Sequence, residues 1–227
     1  MGSIRPIIYW MAESPPCRTL YAVTKLLGID CEWKVLDLSQ KEHMKSDFLT
    51  INPFHCVPTM VESDGFKLWE SRVICKYLIE SRNIETALYP KDLKKRAIID
   101  RCLHFDLGTL YRALADVVYD AFYVGKPNLA KLPRLEEVLQ MMEDNLAKTN
   151  SNYLAQSDEP TLADISTYFS LSILEIVSEF DLAKYFKLFS WKQRMNEFIK
   201  SIDDGTFATG QANIIAFAKK MMDQHKA

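Results

Sequence analysis

Residues 1–85 alternate short strand-like and helix-like runs, whereas the residues beyond them read as helices alone. A chain with that change of texture is expected to fold as two bodies, one of mixed α/β structure and one all-α. We place the first domain at 1–84, a linker at 85–91 within "IETALYPKD", and the second domain at 92–227. With 227 residues in total, each body can bury a core of its own.

Within the first domain, "PIIYW" and "CEWKVLDL" are rich in β-branched and aromatic residues, as strands are. Between them Leu20, Val23 and Leu27 recur at i, i+3 and i+7, the spacing of an amphipathic helix, and Gly28 closes it. A strand, a helix and a second strand in this order predict a βαβ unit with parallel strands. "VPTMVES" and "FKLWE" then flank Asp64-Gly65, a strong hairpin signal. The following "SRVICKYLIESR" places Val73, Ile74, Tyr77 and Leu78 on one helical face. The order β-α-β, a connection, then β-β-α is that of a thioredoxin-like fold. In the second domain, periodicity predicts helices over about 93–118, 133–148, 161–179, 182–200 and 209–225. Thr161 and Asp164 fit a capping box, with Asp in place of the longer Glu or Gln.

Composition excludes several classes of function. Apolar residues form 48% and charged residues 26% of the chain, an ordinary globular balance. The net charge is −2, with ten Lys/Arg against eleven Asp/Glu in residues 1–85 and no basic tract, so no nucleic-acid partner is expected. No run approaches eighteen apolar residues and the start "MGSIRPIIYW" is not a secretory signal, so no membrane partner is expected and the reading is cytoplasmic. Five widely spaced cysteines set among apolar residues read as reduced thiols, and none has metal-ligand spacing to the four histidines. No metal site is assigned.

Three stretches can carry chemistry. In "ESPPCR", Ser14 stands where the first cysteine of a dithiol centre would stand. It is either a helix N-cap ahead of two prolines or a hydroxyl that donates to an anion at the positive end of that helix. No histidine or G-x-S-x-G surrounds it, so a nucleophilic role is not indicated. In "NPFHCVPTM", Pro58 either starts an edge strand or, in a thioredoxin-like domain, turns the Val57 backbone outward to pair with an extended peptide. His55 could donate to a carboxylate. In "WESR", Ser71 and the first N–H groups of the next helix form an anion site, with Glu70 for a cation and Arg72 as positive charge, unless these are surface decoration. The three together suit a small peptide bearing a thiol, an ammonium and carboxylates, and glutathione has those parts.

At this point the sequence resembles the cytosolic glutathione transferases, in particular the insect delta and epsilon classes. "SPPCR", "EHMKSDFLTINPFHCVPTM", "LWESR", "LYPKDLKKRAIIDRCLHFDLGTLY" and "TLADIS" carry the likeness in order and spacing over nearly the whole chain. It implies a thioredoxin-like amino-terminal domain that binds glutathione as co-substrate, and an all-helical domain that supplies most of a hydrophobic pocket. Position by position, Ser14 matches the serine that activates the glutathione sulfur, and His43 and His55 match residues near the glycine carboxylate. Cys56, Val57 and Pro58 match the backbone clamp on the cysteinyl unit, and Glu70, Ser71 and Arg72 the γ-glutamyl end. Asp106 matches a residue reaching the neighbouring subunit's glutathione in a homodimer. Phe54 departs from the glutamine common before the histidine, and His104 from an aromatic dimer contact. Candidate residues for the hydrophobic second substrate are Tyr111, Leu114, Tyr119, Phe122, Tyr123, Phe207 and Phe217; aromatics at helical spacing equally suit a core. The implied activity is conjugation of glutathione to hydrophobic electrophiles, a detoxification. Competing readings are a glutathione-dependent peroxidase or oxidoreductase and a noncatalytic carrier of hydrophobic ligands.

Overall fold

The structure is a computed structural model that describes residues 5–178 and 180–225. The chain divides into two compact units, 1–84 and 85–227. Unit 1 contains β1 (Ile7–Trp10), α1 (Pro15–Leu26), β2 (Glu32–Val35), a short α2 (Ser46–Leu49), β3 (Thr59–Val61), β4 (Lys67–Trp69) and α3 (Ser71–Ser81). The strands lie in the order β2-β1-β3-β4. β1 runs parallel to β2, as the βαβ reading requires, and β3 is antiparallel to both β1 and β4. The two long helices α1 and α3 pack on each other. Ile8 and Met60 of the sheet, Leu20 and Val23 of α1, and Ile74 and Leu78 of α3 are completely buried. The Asp64-Gly65 turn is looser than a two-residue hairpin. Gly65 N–H donates to the Glu62 carbonyl at 3.0 Å, and Glu62 N–H to Phe66 at 2.8 Å. Gly65 has φ +89°, so the glycine serves as the left-handed residue after a turn.

Unit 2 is helical throughout its described residues, with α4 (Leu93–Phe105), α5 (Tyr111–Val118), a short α6 (Asp120–Tyr123), α7 (Leu132–Thr149), α8 (Leu162–Ser172), α9 (Phe186–Ile202) and α10 (Thr206–Gln224). The helix expected over 93–118 contains a wide π turn at Asp106–Leu110, which joins α4 to α5. The helix expected over 161–179 leaves α-geometry at Ser172, passes through a tight turn at Ile173–Ile176 and ends, since Val177 has ψ +87°. The expected terminal residue, Glu179, lies outside the described residues. Leu88 and Tyr89, expected in a linker, are buried parts of unit 2. The Leu88 carbonyl accepts from Leu162 N–H at 2.9 Å, and Tyr89 Oη donates to Asp100 at 3.0 Å.

The Thr161/Asp164 box is the polar centre of this unit. Asp164 is fully buried, and its carboxylate accepts from Leu154 N–H (2.8 Å), Thr161 N–H (2.9 Å), Thr161 Oγ1 (2.8 Å) and Trp191 Nε1 (2.8 Å). Burial pushes its carboxyl above the usual range, and these donors oppose that.

Near the end of the chain, α10 packs on α6. The turn after α6 holds Gly125 at φ +80°, and a Cβ there would collide with the His225 side chain. Gly125→Ala therefore meets both a left-handed backbone and an occupied site. We expect a loss of about 1–3 kcal/mol, read as a fall of several degrees in Tm. An unchanged Tm would mean that the end of α10 does not rest on this turn.

Candidate functional site

Strand register places the three chemistry-bearing stretches at one end of the sheet. Tyr9 is opposite Thr59, and Thr59 is opposite Trp69. The chain leaving β1 towards Ser14, the chain entering β3 from Val57 and Pro58, and the chain leaving β4 towards Glu70 therefore all lie beyond that same end. The sequence order alone could not supply this, because it depends on pairing.

Ser14 is half-buried with extended backbone (φ −81°, ψ 119°), and its carbonyl accepts from Arg18 N–H at 3.0 Å, as at an N-cap. Its hydroxyl caps no backbone N–H. Pro15 and Pro16 occupy the first two helical positions and have no N–H to offer, so Cys17 N–H is the first amide that a cap could use. The N-cap expectation thus holds for the backbone and fails for the side chain, and the Ser14 side chain interacts instead with the Cys17 thiol. Cys17 is completely buried, and burial pushes its thiol up to about 12 although the Ser14 side chain and the Met11 backbone pull it down. A thiol so protonated is no attacking group in a dithiol cycle.

The loop into β3 is held by Asn52, a residue that sequence reasoning did not select. Asn52 is fully buried, and its Nδ2 donates to Thr59 Oγ1 (2.9 Å) and to the Cys56 carbonyl (3.3 Å), while Thr59 Oγ1 donates to that carbonyl at 2.7 Å. The only available signal was an Asx-type residue opening the loop, where Phe54 N–H donates to Asn52 Oδ1 at 2.9 Å. So fixed, the loop presents Val57 with a cis bond to Pro58. The Val57 N–H and C=O make no hydrogen bond among the described residues. Pro58 is buried beneath them. Cys56 is half-buried, and burial raises its thiol pKa, with Glu70 adding to the rise and Asn52 opposing it.

His55 is exposed at φ +46°, and its ring lies 6.2 Å from that of His43, in the turn Glu42–Met44. His43 Nδ1 is buried without a partner among the described residues. Partial burial, and then the His55 charge, hold the His43 pKa below the usual histidine value. The unfolded chain therefore binds this proton better than the folded one. Stability contributed by neutral His43 is present above the unfolded value, near 6.5, and declines as pH falls below it. His55→Gln removes the second cause, so the His43 imidazole, followed by NMR, should titrate closer to its ordinary value. An unmoved titration would separate the two rings.

At the start of α3, Glu70 has φ +72° and ψ 102°, a strained setting for a residue with a Cβ. Its carbonyl accepts from both Val73 and Ile74 N–H at 2.9 Å, which anchors the turn. The Glu70 side chain is exposed. Ser71 is 3% exposed, and its Oγ is buried with no partner among the described residues. Arg72 is buried beside it. A buried hydroxyl, a guanidinium and the first N–H groups of an eleven-residue helix make a positive locus beside a carboxylate.

In unit 2 the candidate aromatic residues separate. Tyr111 and Tyr119 join hydroxyl to hydroxyl at 2.6 Å, Tyr119 meets Phe122 edge-on at 6.0 Å, and Phe122 stacks on Phe217 at 5.9 Å. These four form one run of rings from α5, the residue between α5 and α6, α6 and α10. Tyr123 is 78% exposed, with its side chain in solvent. Leu114 and Phe207 are enclosed, the latter against Phe169 at 5.1 Å, and belong to the packing of unit 2. The expectation for Asp106 is corrected. It is completely buried in the π turn and accepts from Ser166 Oγ at 2.7 Å, so its carboxylate cannot reach a neighbouring subunit. Among the described residues no group of three or more His, Cys, Asp or Glu could hold a metal ion. No described helix is long and apolar enough to cross a membrane.

Comparison with known proteins identifies the family. Residues 6–80 match the glutathione S-transferase N-terminal domain, and residues 120–198 the glutathione S-transferase C-terminal domain. The chain is 36% identical over 193 residues to glutathione S-transferase D7 of Anopheles gambiae, covering 85% of this chain and 86% of that protein. A delta-class glutathione transferase of Nilaparvata lugens superposes with a TM-score of 0.84 at 33% identity, over 95% of this chain and 99% of that one. An epsilon-class glutathione S-transferase of the housefly, Musca domestica, gives 0.83 at 30% identity, over 96% and 98%. With a thioredoxin-like unit followed by a helical one, and with relatives in both insect classes, this chain belongs to the glutathione S-transferase family and is an enzyme of its delta/epsilon group.

Proposed function

We propose that unit 1 binds glutathione at the end of the sheet shared by Ser14, Val57 and Glu70, and that Ser14 donates its hydroxyl hydrogen to the glutathione sulfur. The observation that carries this reading is the strand register, which brings the Ser14, Val57 and Glu70 stretches to one end of the sheet. Val57 N–H and C=O would pair with the cysteinyl backbone as a short added strand. Ser71 Oγ and the α3 N–H groups would donate to the γ-glutamyl carboxylate and Glu70 would accept from its ammonium, with His43 and His55 near the glycine carboxylate. An ordinary thiol, of pKa about 8.5, is only a few per cent thiolate at neutral pH. Lowering that value by about two units takes roughly 2.7 kcal/mol, within reach of one charged hydrogen bond and a helix dipole.

The second substrate is a hydrophobic electrophile, and within unit 2 the run Tyr111, Tyr119, Phe122 and Phe217 is the candidate surface for it. Sulfur–carbon bond formation needs no further catalytic group on the nucleophile beyond ionisation, orientation and removal of water. The enzyme so read is cytoplasmic, homodimeric and detoxifying, and needs no metal. The test is conjugation of glutathione to an aryl halide by the purified protein, with Ser14→Ala beside it. Tight binding of apolar dyes with no conjugation would instead favour the carrier reading.

A further inference from the structure

A trans peptide group points its C=O and its N–H in opposite directions, so whatever holds the one aims the other. The group that joins Cys56 to Val57 is trans. Its carbonyl is held from the interior by two donors, Thr59 Oγ1 at 2.7 Å and Asn52 Nδ2 at 3.3 Å. Asn52 and Thr59 are both completely buried, and Asn52 Nδ2 also donates to Thr59 Oγ1 at 2.9 Å. Asn52 is fixed in its turn: its Oδ1 accepts from Phe54 N–H at 2.9 Å, and its own N–H donates to the Phe48 carbonyl at 2.9 Å. With the Cys56 carbonyl drawn inward, Val57 N–H is turned the other way, where it makes no hydrogen bond among the described residues. Two donors on that carbonyl also polarise the N–H of the same group, because linked hydrogen bonds strengthen one another.

From this geometry we infer that Asn52 is a positioning residue for glutathione: through the Cys56 carbonyl it aims Val57 N–H at the carbonyl of the cysteinyl unit and strengthens it as a donor. Asn52 thus sets glutathione affinity without touching the ligand. The inference rests on the reading that Val57 pairs with the cysteinyl backbone. Every group in this relay lies between Phe48 and Thr59, inside unit 1. Without Asn52 the carbonyl keeps a single donor, and the peptide plane is free to turn about its flanking bonds. A residue that merely propped the loop would be indifferent to which ligand atom is weakened, whereas an aimed N–H is sensitive to one oxygen.

The test sets two probes against parent and variant, with Kd read by calorimetry. One probe is S-methylglutathione, which has no thiol to ionise; the other is its analogue with an ester in place of the cysteinyl–glycine amide, whose carbonyl is a weaker acceptor. The parent should bind the ester about 5-fold or more weakly than the amide. Asn52→Ala should bind the amide about 3- to 10-fold more weakly than the parent does, and its ester penalty should shrink to within about twofold. Any cost of the glycine N–H that the ester lacks is common to both proteins and cancels. In turnover, KM for glutathione should rise by a similar factor while kcat at saturating glutathione falls less. If Asn52→Ala does not fold, Thr59→Val, which keeps the shape and removes one donor, is read in the same way, and Thr59→Ser should restore the parent's Kd. An ester penalty as large in the variant as in the parent would overturn the inference, whatever the change in Tm, because Asn52 would then only hold the loop. An ester that binds the parent as tightly as the amide would show instead that the Val57 pairing itself is wrong, and the inference would fall with it.

Discussion

Ser14→Ala should lower kcat about 10- to 100-fold with glutathione affinity within a few fold of the parent, because the lost bond is to the thiolate and is worth most once the thiol has ionised. The apparent pKa of the bound thiol, followed by the ultraviolet absorbance of the thiolate in a pH titration, should return towards the ordinary value near 8.5. Sign and window follow together. With the role proposed for Ser14, the parent's thiolate is present at neutral pH, so turnover should level off there; in the variant it should keep rising to higher pH. Equal turnover in both proteins across neutral pH would remove Ser14 from the mechanism. Equal loss of affinity and turnover would make it a binding group only.

The largest expected loss of stability comes from Asp164→Ala. Its carboxylate accepts four hydrogen bonds in a fully buried setting. Removing it leaves the Trp191 indole N–H, the Leu154 and Thr161 amides and the Thr161 hydroxyl without their acceptor, and deletes the start of α8 as a fixed point. Loss of one member of a buried charged network costs about 3–5 kcal/mol, which for a chain of this size corresponds to a fall in Tm of roughly 10 °C. Asp164→Asn keeps the shape but points an amide N–H₂ at N–H donors, so it should recover only part of the loss. A Tm within 2 °C of the parent for the alanine variant would show that water or repacking replaces the carboxylate.

The parts of this fold that could be read from the sequence are those written in local chemistry. The βαβ and ββα order, the glycine turn between β3 and β4, and the Thr161/Asp164 box each follow from residue types at fixed spacing. The π turn at 106–110 escaped because one extra residue in a helix barely disturbs a 3.6-residue period, and without it Asp106 could not be seen to turn into the core. That the Ser14 side chain makes no cap was not legible, since Cys17 N–H lies just beyond the two prolines and a serine before a helix is ordinarily read as a cap. Asn52 and the strain at Glu70 depend on long-range pairing around β3 and β4, to which a one-dimensional pattern is blind. Leu114 and Phe207 show the same limit among apolar residues, because hydrophobicity does not say which side of a helix is covered.

Consider finally where the residues fall along the chain. All the groups proposed to handle glutathione lie between Ser14 and Arg72, whereas the aromatic run draws on Tyr111, Tyr119, Phe122 and Phe217, the last from the closing helix. On the proposed reading, a substitution in that helix would retune the surface offered to electrophiles while leaving the residues proposed to handle the thiol unchanged in sequence. Such a partition lets the second-substrate repertoire drift through neutral steps in one stretch of coding sequence while the sulfur chemistry stays fixed in another. Recombination between relatives within the linker segment should therefore yield active chimaeras whose substrate preference follows the parent of the carboxy-terminal half.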